Sequence, residues 1–375
     1  MGKLALLHGV WTELVACGAR FMGTPGAEQA VEVITRYLQR WGLQYHCHEY
    51  EYTSWLPGDP PRLAWDGRER EAYVMLGSPG AQAKGPLSGT IEYVGPLGIW
   101  GRHDWERFAL VSPQAELLAY IAGRQAGPAI PQTLPLGCDQ VLYLGIGSAD
   151  VQELLLAHQT GRVVTATLEA NPSFGAVQIG RSVVAELPRR GDRLVIIGAH
   201  YDSFWNTAGA YDNASGAACL LSLAHQLRDG VPGLNVRLVW FGSEEWLLAG
   251  SNAYVQMLEE RGEVPSFMLN LDGVGRGDVL EVWYGPDPLL PFLRETIEPQ
   301  AAELGVATRY IFPPPEGSDH AAFYRAGSKV CMLTFNDLEI LHRAEDSIDE
   351  AKLRNMQKTL QIAQALLDRL PHQEL

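Results

Sequence analysis

Residues 193–203 read RLVIIGAHYDS, residues 235–245 read NVRLVWFGSEE, and residues 266–275 read SFMLNLDGVG. Each is a short apolar run, rich in Val, Leu and Ile, that ends in His, Asp or Glu. Continuous apolar runs of this length describe strands buried on both faces, the habit of a parallel sheet covered by helices. The stretches between them fit that scheme. ASGAACLLSLAHQLRD (214–229) and WLLAGSNAYVQMLEERG (246–262) read as helices, KVCMLTFND (329–337) as a late strand, and residues 350–370 as a closing helix with Leu353, Met356, Leu360, Ala363 and Leu367 on one face. Strand and helix alternating in this way predict a three-layer α/β/α domain around a mixed, largely parallel sheet.

Upstream, residues 27–42 (AEQAVEVITRYLQRWG) place Val31, Ile34, Leu38 and Trp41 at helical spacing and stop at Gly42. YHCHEYEYT (45–53) alternates and reads as a strand. From about residue 55 the texture changes to short apolar runs between Pro- and Gly-rich turns, closing with a helix (ADVQELLLAHQTG), a strand (RVVTATLEA) and the boundary pair Asn171-Pro172. This predicts a smaller β-rich module over 55–171, inserted into a catalytic domain made of 1–54 and 172–375. The module carries no evident chemistry: His103 and Asp104 are expected at the surface. Its Trp-rich stretches, SWLPGDPPRLAW (54–65) and GIWGRHDW (98–105), are expected to be buried more readily than to contact a substrate.

Composition narrows the function. The chain has 375 residues, 46% hydrophobic and 19% charged, an ordinary globular balance. Its formal net charge of −15 argues against nucleic acid and anionic membranes, both of which need a basic footprint. The five cysteines, Cys17, Cys47, Cys138, Cys219 and Cys331, are scattered and form no CxxC pair, so neither a disulfide framework nor a thiolate zinc site is expected. The opening MGKLALLHGVWTEL is broken by His8 and Thr12-Glu13 and gives neither a secretory signal nor a membrane span, so the expectation is a cytoplasmic protein.

The chemistry lies at the strand ends. In an open α/β sheet, ligands bind at the carboxyl ends of the strands. Successive strands deliver His200, Glu245 and Asp272 there, with Asp212 in the loop after the first. Imidazole and carboxylate are the ligands zinc takes at catalytic sites, and a two-metal site needs such groups with one shared between the ions. Of the adjacent Glu244 and Glu245, one can ligate while its neighbour faces the substrate as a base. Two later histidines, His320 in GSDH and His342 in LHRAED, compete for the remaining ligand place, and chemistry alone does not choose between them.

These segments together resemble the M28-type zinc metallopeptidases. The matching stretches are GAHYDS (198–203), GAYDNASG (209–216), WFGSEEW (240–246), LNLDGVG (269–275), GSDHAAF (317–323) and LHRAEDS (341–347), in the family's order, with GARFMGTPG (18–26) similar to its opening segment. The inserted module more loosely resembles a protease-associated domain. The resemblance implies two Zn2+, with Co2+ or Mn2+ as possible substitutes. His200 and Asp272 would hold one ion, Glu245 and His342 the other, and Asp212 would bridge them. It favours His342 over His320 as ligand, leaving His320 and Asp319 in hydrogen-bond support and Asp346 as a helper. Glu244 would be the general base, Asp202 would orient His200, and the Asp212-Asn213 peptide would be cis. Some relatives carry a Tyr before the late histidine to stabilise the oxyanion; here that position is Leu341, which leaves Tyr201, Tyr211, Tyr310 and Tyr324 as unranked candidates. The expected substrates are peptides with a free N-terminus. The competing readings are a carboxypeptidase or dipeptidase of the glutamate carboxypeptidase type, which would need a basic residue such as Arg237, Arg309 or Arg325 for the substrate carboxylate; a glutaminyl-cyclase-like acyltransferase; and a non-catalytic binding protein on the same fold.

Overall fold

In the computed structural model the structure describes residues 2–80, 85–99, 102–134 and 141–373, without the side chains of residues 102 and 103; Trp100, Cys138 and the His103 side chain therefore lie outside the described residues. In chain order the elements are α1 (Lys3–Ala16), α2 (Pro25–Arg40) and β1 (Gln44–Leu56), then β2 (Arg62–Trp65), β3 (Arg68–Arg70), β4 (Ala72–Val74), β5 (Leu87–Ile99), β6 (Arg102–Val111), β7 (Leu117–Arg124), β8 (Leu142–Ile146), α3 (Ser148–Thr160) and β9 (Thr165–Glu169). The chain continues with β10 (Ser173–Glu186), β11 (Arg193–His200), α4 (Ala214–Gln226), β12 (Leu234–Phe241), α5 (Ala249–Glu260), β13 (Phe267–Leu271), β14 (Val279–Gly285), α6 (Leu290–Glu303), β15 (Ala307–Ile311), α7 (His320–Arg325), β16 (Lys329–Thr334) and α8 (Glu350–Arg369). Internal packing divides the chain into two units, Met1–Tyr52 with Ile179–Leu375, and Thr53–Gln178.

The first unit is built on an eight-stranded sheet in the order β1-β10-β12-β11-β13-β16-β14-β15. Its centre, β12-β11-β13-β16, is parallel, while β10 and β14 join antiparallel on either side. Alternation along the strands feeds two hydrophobic layers. Val195, Ile197 and Ala199 face the layer built with α1, α2, α4, α6 and α8. Ile196, Val239, Phe241 and Met268 face the layer built with α5 and α7. Helices therefore cover both faces, which is why the central strands read as unbroken apolar runs. α4 packs so closely on the sheet that its residues from Ala214 to Ala224 are all buried.

Local chemistry sets the helix ends. α2 begins two residues before the expected start, because the Thr24 hydroxyl accepts the Ala27 N–H as N-cap and Pro25 occupies the first helical position. α5 begins three residues after the expected start: Leu247 and Leu248 stand in the left-handed region, at φ 57° and 58°, so Trp246 cannot open the helix.

The second unit holds an eight-stranded sheet in the order β3-β2-β9-β5-β6-β7-β8-β4, with α3 as its helix. Trp55, Trp65 and Trp105 are buried there, so the described tryptophans of these stretches serve the interior. Asp104 is half-buried rather than exposed as expected; its backbone carbonyl accepts the Gln125 N–H where β6 lies against β7. The described cysteines, Cys17, Cys47, Cys219 and Cys331, are free thiols. Among the described residues no helix is long and apolar enough to cross a membrane.

Candidate metal centre

The register of the parallel strands sets the site. His200 at the end of β11 pairs with Phe241 at the end of β12, and Gly198 pairs with Asn270 on β13. The residues that leave these strands therefore emerge at one edge: Asp202 after β11, Glu244 and Glu245 after β12, Asp272 after β13. Asp212 enters at the head of α4, and His342 comes from the long loop after β16. All of these groups are at least nine-tenths buried. The Asp212-Asn213 peptide is cis.

His200 Nε2 lies 3.2 Å from Asp212 Oδ1, 3.3 Å from Asp272 Oδ1 and 3.9 Å from Glu244 Oε2. His342 Nε2 lies 3.2 Å from Asp212 Oδ2 and 3.4 Å from Glu245 Oε2. Asp212 thus turns one carboxylate oxygen to each imidazole. Ligand-type atoms of His200, Glu244 and Asp272, and again of His200, Asp212 and Glu245, fall within 4.8 Å of one another.

A surrounding set of side chains orients these groups. Asp202 faces the other ring nitrogen of His200 at 3.4 Å and accepts the backbone N–H groups of Glu244 at 3.1 Å and Glu245 at 3.2 Å. Asn270 donates to Ser318 Oγ at 2.7 Å, and Ser318 donates to Asp272 Oδ2 at 2.6 Å. Phe204 stacks on the His342 ring with centroids 3.9 Å apart, and Asn206 donates to the His342 carbonyl at 3.0 Å. Asp346 accepts the N–H groups of Tyr211 and Asp212.

Other candidates lie elsewhere. His320 is buried on α7, with Nε2 2.9 Å from the Pro315 carbonyl and its ring against the edge of Trp283, so it does not join the donor cluster. Tyr201 donates its hydroxyl to the Arg181 carbonyl, Tyr211 accepts the Asp337 N–H, Tyr310 packs against Tyr284, and Tyr324 lies over Gly285. Arg237 pairs with Glu263, Arg309 with Glu281, and Arg325 bonds Asn252.

The electrostatics show a cluster built for positive charge. Burial, aggravated by Glu245 and Asp272, drives Glu244 well above the usual carboxylate range. Burial and the nearby Asp212 raise Glu245 to about 7. Burial opposes charge on the imidazoles too, yet Glu244 and Asp272 hold His200 well above its ordinary value, and Glu245 and Asp212 raise His342 to about 10. The buried bases near this loop are already engaged: Arg20 with backbone carbonyls, Lys352 with Asp346. Crowded buried carboxylates with imidazole partners, and no spare basic side chain beside them among the described residues, are the donor chemistry of a borderline metal such as zinc. The residues present fit that ion.

Fold and donor set together define an α/β protein with a candidate oxygen-and-imidazole metal site at the carboxyl edge of its sheet. The family model described as "Peptidase family M28" matches residues 182–367. The chain is 34% identical over 171 residues to leupeptin-inactivating enzyme 1 of Streptomyces exfoliatus, a match covering 44% of this chain and 38% of that protein. It is 29% identical over 373 residues to aminopeptidase YwaD of Bacillus subtilis, covering 92% and 79%. Against an aminopeptidase of Pseudomonas aeruginosa it aligns over 18% of that protein's length. In fold it is similar to BSAP, a zinc aminopeptidase from Bacillus subtilis (TM-score 0.70, 22% identity, covering 98% of this chain and 95% of that one), and to a peptidase M28 precursor from Shewanella amazonensis (0.75, 17%, 100% and 93%). The match to peptidase family M28 thus runs from β10 to α8 of the first unit.

Sequence reasoning missed several supporting residues. Ser318 stands in the quoted GSDH segment, and Arg20 in GARFMGTPG, but nothing in either segment says where the side chain points. Lys352 gave no signal, because a lysine near a helix start reads as a solvated residue.

Proposed function

We propose that the chain is a zinc-dependent aminopeptidase that removes N-terminal residues from peptides, using two zinc ions and Glu244 as general base. The observation that carries this reading is Asp212, whose two carboxylate oxygens each lie 3.2 Å from a different buried histidine. In this reading His200 and Asp272 hold one ion, Glu245 and His342 the other, and Asp212 is shared. The peptidase domain comprises 1–54 and 172–375, and 55–171 is a protease-associated-like insert.

Zinc at such a site supplies an acidified water and polarises the scissile carbonyl. Glu244 takes the proton of the attacking water on a carboxylate oxygen and returns it to the leaving amine nitrogen. Asp202 supports both roles, since it holds the amides of Glu244 and Glu245 while fixing the His200 ring and its tautomer. The excess of buried carboxylate favours a substrate that presents a free ammonium group. The engagement of Arg237, Arg309 and Arg325 with their own partners weighs against a site for a substrate carboxylate.

The test is one defined peptide offered with a free and with an acetylated N-terminus, with products read by mass spectrometry. We expect stepwise loss of N-terminal residues from the free form only, abolished by a chelator. Glu244→Gln should keep its zinc and its fold and lose about 100- to 10,000-fold in turnover. Trimming from the C-terminus, or an active Glu244→Gln, would refute the reading.

A further inference from the structure

The loop from Tyr201 to Asn213 delivers the carboxylate that both histidines face, and charged side chains grip its backbone at groups of both polarities. On the carbonyl side, Arg20, fully buried, donates to the carbonyls of Tyr201 at 2.6 Å and Gly209 at 3.0 Å, and to that of Ala208. On the N–H side, Asp346 Oδ2 accepts from Tyr211 at 2.7 Å and from Asp212 itself at 3.2 Å. The other oxygen of Asp346 lies 3.1 Å from Lys352 Nζ. Lys352 sits in the first turn of α8, and its ammonium also reaches Asp349 at 3.3 Å and the Ser347 carbonyl. Both Lys352 and Asp346 are 2% exposed.

A buried ion pair is a poor device for stability alone, because desolvating two charges offsets most of their attraction. Its value here lies in what the acid does with its second oxygen. Charge-assisted bonds to amides are short and directional, and these two amides flank the Cα of Tyr211 and lead directly into Asp212. Arg20 fixes the preceding carbonyls, so the loop can neither twist nor slide without breaking bonds of both kinds.

We propose that Lys352 is a positioning residue for the metal pair: acting through Asp346, it fixes the backbone of Tyr211 and Asp212 so that the Asp212 carboxylate spans both imidazole sites. This rests on the reading of Asp212 as the shared ligand. The C-terminal helix thereby becomes part of the metal site, although it supplies no ligand.

The test measures zinc stoichiometry and affinity by competition with a chromophoric chelator, with thermal melting alongside, on the full chain. The variants are Lys352→Met, Lys352→Arg, Lys352→Met combined with Asp346→Asn, and Asp212→Asn. Lys352→Met should weaken one of the two zinc ions by about 10- to 100-fold, the usual effect of losing a group that orients a ligand, and Lys352→Arg should restore most of it. The double variant removes both charges of the pair and leaves neither buried alone, so it answers the question if Lys352→Met does not fold; it too should bind that ion more weakly. Lysine variants that melt earlier yet hold both ions with wild-type affinity would overturn the proposal and leave Lys352 a merely structural residue. If Asp212→Asn also holds both ions as the wild type does, the shared-ligand reading itself fails. The two failures are therefore distinguishable.

Discussion

His320 shows how much the identity of a buried histidine depends on its second nitrogen. Its Nε2 faces the Pro315 carbonyl and must carry the proton. Its Nδ1 meets no hydrogen-bond partner among the described residues. Burial first, and then the nearby Arg325, depress its pKa to about 4, although the Pro315 carbonyl pulls the other way. The folded state therefore holds this ring neutral, whereas the unfolded chain protonates it near 6.5. The stability it contributes is present in full above about pH 6.5 and is lost as pH falls toward 4, a difference of about 3 kcal/mol. Chemical denaturation of the wild type and of His320→Gln at a series of pH values checks this. The wild type should lose more stability than the variant between pH 6.5 and 4, and parallel curves would rule the account out. His342 is the opposite case: similar burial, but with two carboxylates at its Nε2. In the sequence each is a lone histidine with an acid within three residues, so only the partners that the fold supplies tell them apart. His200, Glu244, Glu245 and Asp272 were legible because they end apolar runs or lie just beyond them, and Asp212 because it stands in the loop that follows the first of those runs. Ser318, Arg20 and Lys352 were not, because their partners come from other strands and loops.

Among the elements, α4 and β13 are locked together at one atom's width. Gly216, in the first turn of α4, lies so close to β13 that a Cβ there would stand 2.1 Å from the Leu271 carbonyl oxygen. Leu271 immediately precedes Asp272, and the N-cap Asn213 bonds that same carbonyl at 2.9 Å while accepting the Gly216 N–H. One helix start thus sets the separation of two candidate ligands, Asp212 and Asp272. Gly216→Ala has to push the helix off the strand. We expect it to destabilise the fold by about 2 kcal/mol and to weaken zinc binding, read by denaturation and chelator competition. A variant with unchanged stability would mean that the helix moves freely and that this contact does not hold the site. The apolar strands and the helices between them were readable from their periodicity. α1, α6 and α7 were not: α1 is apolar around most of its surface, α6 contains Pro299, and α7 spans only His320–Arg325. The start of α5 was misplaced because left-handed Leu247 and Leu248 leave no mark in composition.

Across the whole molecule, the formal charge of −15 is not spread evenly over a solvated surface, since part of it is buried at the strand ends where no water screens it. Folding brings Asp202, Asp212, Glu244, Glu245 and Asp272 together, and in the unfolded chain these groups lie apart and are hydrated. These carboxylates repel one another, and a cation that bound the folded state alone would stabilise it by mass action, about 2.7 kcal/mol at a hundred times its dissociation constant. The domain organisation follows the same division of labour. The packing units part at Tyr52/Thr53 and Gln178/Ile179, close to where the composition shifts, and the buried acidic cluster belongs wholly to the first unit. Removing metal should therefore act on that unit. We expect dialysis against a chelator to lower the melting temperature by several degrees, zinc to restore it, and cobalt or manganese to restore it in part. The melt should also resolve into two steps if the units unfold separately, with only one step responding to metal. A melting curve indifferent to chelator would mean that these carboxylates are not held together by a cation, and the metal site itself would have to be abandoned.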